Sequence, residues 1–163
     1  MTLVLASQSV GRIAMLNAAG VAVEVVPALV DEDSIKTSLT EAGAKPRDIA
    51  DALAEAKARK VSRKVPTALV LGCDQICVGA DGHVFDKPKT PADARAHLAR
   101  LSGSVHRLIS AAVICEGGAP VWRVVDTAQM TMRPLSPTFI DNYVDTYWED
   151  IRHCVGCYRI EAE

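Results

Sequence analysis

No apolar run in this 163-residue chain approaches the roughly 18 residues of a membrane span. No membrane segment and no membrane partner are therefore expected. No basic stretch precedes the first apolar run, Leu3-Val4-Leu5-Ala6, so the start does not read as a secretory signal. There is no excess of positive charge either. Lys plus Arg is 18 and Asp plus Glu is 20, a net charge of −2, which argues against a globally basic nucleic-acid binder. An even cysteine framework is missing too. The five cysteines, Cys73, Cys77, Cys115, Cys154 and Cys157, argue against a disulfide-stapled secreted domain, so a cytoplasmic location is expected. Internal repeats, linkers and low-complexity tracts are absent. What remains is 49% apolar and 23% charged, the balance of one folded globular domain over residues 1–163.

Leu3–Ala6 reads as a buried strand ending in the polar turn Ser7-Gln8-Ser9. Val10, Ile13 and Leu16 follow at helical spacing, with Gly20 as the cap. Val21–Val26 reads as a strand stopped by Pro27, and Asp31–Ser34 as an acidic loop. Pro46 opens a helix rich in Ala, Leu, Lys and Arg that runs through Val61. Leu69–Cys73 is a buried strand that meets Asp74 and continues extended to Val78. Gly79–Gly82 has hairpin chemistry. Pro91 opens a helix to about Leu101, with Ala94, Leu98 and Leu101 on one face. Val105–Cys115 and Val121–Met132 read as strands paired around Gly117-Gly118. Ser136-Pro137 opens a last helix, reaching about Tyr143. The order predicts a mixed α/β domain with a partly antiparallel sheet.

Polar clusters interrupt these elements. Ser7-Gln8-Ser9-Val10-Gly11-Arg12 offers hydroxyls, free N–H groups and a guanidinium at a helix N-terminus, which suits an anion such as phosphate. An ordinary helix cap is the alternative. Asp31-Glu32 can hold Mg²⁺ or polarise a water, or be a solvated loop. Asp74 follows a fully apolar strand, where α/β folds place their sites. Lys87, in Asp86-Lys87-Pro88-Lys89, can serve as a point-charge phosphate ligand. His153 and the Cys154-Val155-Gly156-Cys157 pair could bind zinc or carry redox chemistry, but no second pair exists to complete four ligands, and a redox pair belongs early in a βα pattern. Together the clusters suit metal-assisted attack of water on a phosphoanhydride, or simple binding of a phosphorylated ligand.

Taken in order, these stretches resemble the Maf family of nucleoside triphosphate pyrophosphatases. The motifs are Leu5-Ala6-Ser7-Gln8-Ser9 with Arg12, Val30-Asp31-Glu32, Leu53-Ala54-Glu55-Ala56-Lys57-Ala58, Gly72-Cys73-Asp74-Gln75 and Asp86-Lys87-Pro88. Leu101-Ser102-Gly103 with His106, and Cys154-Val155-Gly156-Cys157-Tyr158, complete the set. The resemblance implies a curved mixed sheet flanked by helices, of the inosine triphosphatase-like (Ham1-like) kind. It implies hydrolysis of a nucleoside triphosphate to the monophosphate and pyrophosphate, with Mg²⁺ or Mn²⁺, in a cytoplasmic homodimer that clears wrong or modified nucleotides. By the same carry-over Asp74 is the proton acceptor and Glu32 the second catalytic acid, both near the metal. Ser7, Ser9, Arg12, Lys57 and Lys87 grip the phosphates. Gln75 and Glu161 resemble the branch associated with 7-methyl-GTP rather than that taking dTTP and UTP. A carboxylate at Glu161 can accept from the guanine N1–H and amine. The chain departs from the family pattern at Val10 and Gly11, where Pro and Arg or Trp are usual, and Gly11 falls at a position tied to base choice. It also ends at Glu163, before the family's further strand and last helix. That predicts an exposed sheet edge, and the alternative readings are a nucleotide-binding homologue without turnover or a dTTP/UTP pyrophosphatase.

Overall fold

A computed structural model describes residues 3–160; Glu161 lies outside them. The chain order is β1 (Leu3–Leu5), α1 (Val10–Ala18), β2 (Glu24–Val25), α2 (Glu32–Glu41), α3 (Pro46–Ser62), β3 (Leu69–Gly79), β4 (Val84–Phe85), α4 (Pro91–Leu101), β5 (Val105–Glu116), β6 (Ala119–Thr131) and α5 (Pro137–Ile151). A 3-10 turn at Val155–Cys157 follows. The strands form one mixed sheet in the order β2-β1-β3-β5-β6, with β4 paired to β3. β1 runs parallel to both β2 and β3, and β3 pairs antiparallel with β4. The expected mixed α/β class is borne out.

Two compact units share the chain. The first comprises residues 1–74 and 110–126, the second 75–109 and 127–163. In the first, Val4, Ala6, Ala28, Val61, Ala68 and Val70 form a buried cluster. In the second, α4 and α5 bury Ala94, Leu98, Ile140, Val144 and Ile151 around Cys157. No helix of the described residues is long and apolar enough to cross a membrane.

Three sequence readings needed correction. The strand expected over Val21–Val26 is only Glu24–Val25. The acidic stretch is a helix start, because the Asp31 carboxylate accepts the Ser34 N–H at 3.1 Å and so caps α2. The last helix runs to Ile151, well past Tyr143. Elsewhere local chemistry decides the element. Pro46 starts α3, with Asp48 in its first turn and Arg59 and Lys60 in its last. Thr90 and Asp93 close a capping box on α4.

His106, on β5, is buried, and its Nε2 lies 2.7 Å from the Tyr158 hydroxyl. Its Nδ1 has no partner among the described residues. Burial holds the His106 and His97 pKa values below the ordinary imidazole value. A depressed imidazole pKa means that the unfolded chain takes up protons first as pH falls. Stability conferred by these neutral rings is therefore full above pH ~6.5 and lost below it. The melting temperature should fall between pH 7 and 5.5, and His106→Gln should flatten that slope.

Candidate active site

β1 ends at Leu5, and the chain emerges from the sheet at Ser7. Ser7 is buried, and its Oγ accepts the Ser9 N–H at 3.1 Å and an N–H of Arg12 Nη1 at 3.3 Å. Ser9 caps α1 by accepting the Arg12 N–H at 3.4 Å. The turn that caps α1 thus also carries the Arg12 guanidinium to Ser7. Gly11 sits in α1 with open space around it; a Cβ there would meet only Ser9 Oγ, at 4.0 Å. The backbone does not require a glycine at this position.

Lys57 stands at the centre. It projects from the buried face of α3, and its Nζ donates to Asp74 Oδ1 at 2.7 Å and lies 3.1 Å from Glu32 Oε2. Glu32 comes from the first residue of α2 and Asp74 from the middle of β3. The Lys57 and Asp74 side chains are 8% and 9% exposed, Glu32 41%. Two carboxylates therefore converge on one ammonium, one buried and one open to solvent. Burial pushes the Asp74 carboxyl above its ordinary pKa, opposed by the charges of Lys57 and Arg12. A carboxylate raised in this way is a better base near neutrality.

Sequence reasoning missed what permits this approach. A Cβ on Gly72 would lie 2.2 Å from the Ala54 carbonyl oxygen, 2.7 Å from Ala58 N and 2.9 Å from Ala58 Cβ. Only a residue without a side chain lets α3 press onto β3 here, two residues before Asp74 and beside Lys57. The signal was available, since glycine inside a strand often marks a close backbone approach. The Asp31-Glu32 pair also divides. Ser34 donates both its N–H and its hydroxyl to Asp31 and holds that carboxyl below its ordinary pKa, so Asp31 serves the helix and Glu32 serves the site.

The structure thus brings Ser7, Ser9, Arg12, Glu32, Lys57 and Asp74 into the first unit. Gln75 and Lys87 belong to the second, where Lys87 is exposed. Glu32 and Asp74 could hold a small divalent cation, because both already face one positive centre and Mg²⁺ takes one or two carboxylates plus substrate phosphates. The C-x-x-C has another role. Cys157 is buried, its Sγ lies 3.2 Å from Nδ1 of His97 rather than of His153, and burial pushes its thiol up to about 12. Such a thiol stays protonated and inert. Among the described residues no three His, Cys, Asp or Glu side chains are grouped to hold a metal.

Residues 2–163 match the Maf-like protein family. The chain belongs to that family. It is 52% identical over 162 residues to a protein of Sphingopyxis alaskensis named nucleoside triphosphate pyrophosphatase, covering 99% of this chain and 82% of the relative. It is 48% identical to a protein of Mesorhizobium japonicum named 7-methyl-GTP pyrophosphatase, covering 99% and 80%. A HAM1 protein of Coxiella burnetii has a similar fold, with a TM-score of 0.51 at 16% identity over 80% of this chain and 72% of that one. The Maf resemblance and the Ham1-like fold expected from the sequence are both borne out.

Proposed function

We propose that this chain, a nucleoside triphosphate pyrophosphatase by family, acts on a modified purine nucleotide of the 7-methyl-GTP kind. The observation that carries the catalytic part is Lys57 bridging Asp74 and Glu32 beside the Ser7–Arg12 loop. Asp74 takes a proton from water as its oxygen attacks the α-phosphorus. The bond from that phosphorus to the bridging oxygen breaks, leaving the monophosphate and pyrophosphate. Arg12, Lys57 and the hydroxyls of Ser7 and Ser9 offset the charge of the triphosphate, about −4, which would otherwise repel the carboxylates. Glu32 and Asp74 would hold Mg²⁺ or Mn²⁺, which when bound neutralises phosphate oxygens and acidifies water. The purine reading is supported by Gln75 and Glu161 and by the name of the Mesorhizobium relative. A cytoplasmic homodimer with no nucleic-acid partner accompanies it.

The test is pyrophosphate release from an equimolar panel of 7-methyl-GTP, GTP, dTTP and UTP. The methylated purine should have the highest kcat/KM. A preference for dTTP or UTP would overturn the base assignment, and turnover of none by a folded chain would overturn the enzyme itself.

A further inference from the structure

Lys60 lies three residues beyond Lys57 on α3 and so on the same side of the helix. Its ammonium donates to the Leu29 carbonyl. Leu29 is where the chain turns into the acidic motif. Its φ is 49°, the left-handed region that an L-residue with a bulky side chain avoids. Its own side chain does not favour the turn, being 73% exposed. The residues on either side are fixed. Ala28 is buried in the core of the first unit, and Val30 packs against that core. Asp31 caps α2, and Glu32 reaches Lys57. The left-handed turn therefore sets the path from a core residue to the second carboxylate of the site.

We infer that Lys60 is a positioning residue, which holds the Leu29 carbonyl and so keeps the turn that sets Glu32 against Lys57. The inference rests on the proposed role of Glu32 in hydrolysis. One helix then registers this loop twice: Lys57 takes the side chain of the acid and Lys60 takes the backbone ahead of it. Neither contact substitutes for the other, because Glu32 is partly exposed and could swing outward on a loosened loop.

Lys60→Met keeps the aliphatic stem and removes the donor. Two readouts apply. Amide exchange at Glu32, Ser34 and Ile35, whose N–H groups bond to Val30 O, Asp31 Oδ1 and Asp31 O, should quicken about fivefold, while α3 exchanges as before. Turnover should fall roughly three- to tenfold in kcat, with KM within about twofold. Lys60→Arg should restore both. Adding Leu29→Asn to Lys60→Met should recover part of each, because Asn enters the left-handed region more readily. Unchanged exchange at these amides would overturn the inference, and so would faster exchange with unchanged kcat. A wild-type chain without turnover would sink the hydrolase reading instead, and exchange would still decide whether Lys60 holds the loop.

Discussion

Asp74→Asn should lower kcat by about 10²- to 10⁴-fold, the range expected when a positioned general base is removed. Asn keeps the shape of the side chain and can still accept from Lys57, which donates to Oδ1 at 2.7 Å in the native site. Lys57 also retains Glu32 at 3.1 Å, so the variant does not strand a buried cation. Nucleotide affinity measured by calorimetry without divalent metal, which keeps the proposed metal role of Asp74 out of the comparison, should therefore stay within about tenfold, and the loss should fall on kcat rather than on binding. Circular dichroism should show an unchanged fold. Unaltered turnover in Asp74→Asn would show that another group takes the proton. Equal loss of binding and turnover would make Asp74 an anchor for substrate and not a base.

Gly72→Ala should have the largest effect on stability. The added methyl would lie 2.2 Å from the Ala54 carbonyl oxygen and within 3 Å of Ala58 N and Cβ. These are backbone and Cβ atoms, which cannot swing aside as a long side chain can. Helix α3 must lift from β3 or the strand must bend, and overpacking of this kind costs about 3 kcal/mol. For a chain of this length that is a melting shift of roughly 6–12 °C. Activity should fall further than stability alone predicts, because the same separation opens the Lys57–Asp74 contact. Thermal unfolding followed by an assay below the lowered melting temperature separates the two effects. A variant with wild-type melting and turnover would show that α3 and β3 are not held this closely.

How much of this was legible beforehand varies by kind of signal. The long apolar elements were, because their pattern and punctuation agree. Pro46 and the Ala-rich face gave α3, the apolar run gave β3, and Gly117-Gly118 gave the β5–β6 turn. α2 was not legible. Its sequence Glu32-Asp33-Ser34-Ile35-Lys36-Thr37 has little apolar periodicity and buries no residue, so only the cap at Asp31 betrays it. The end of α5 was missed because Tyr147, Trp148 and Ile151 pack into the second unit, a tertiary gain that local signals do not display. The site was legible as residue types in order. A glycine inside a strand hints at a close approach, but that the partner is α3, and that Lys57 joins the two carboxylates, are facts of packing between a helix and a strand. No spacing along the chain encodes them.

In the proposed reaction the attacking water adds to the α-phosphorus and to no other. Turnover in ¹⁸O-labelled water with Mg²⁺, read by ³¹P NMR and mass spectrometry, tests it most directly. The prediction is equimolar monophosphate and pyrophosphate, with the label in the monophosphate alone. Label in the pyrophosphate, or release of diphosphate and orthophosphate, would contradict it.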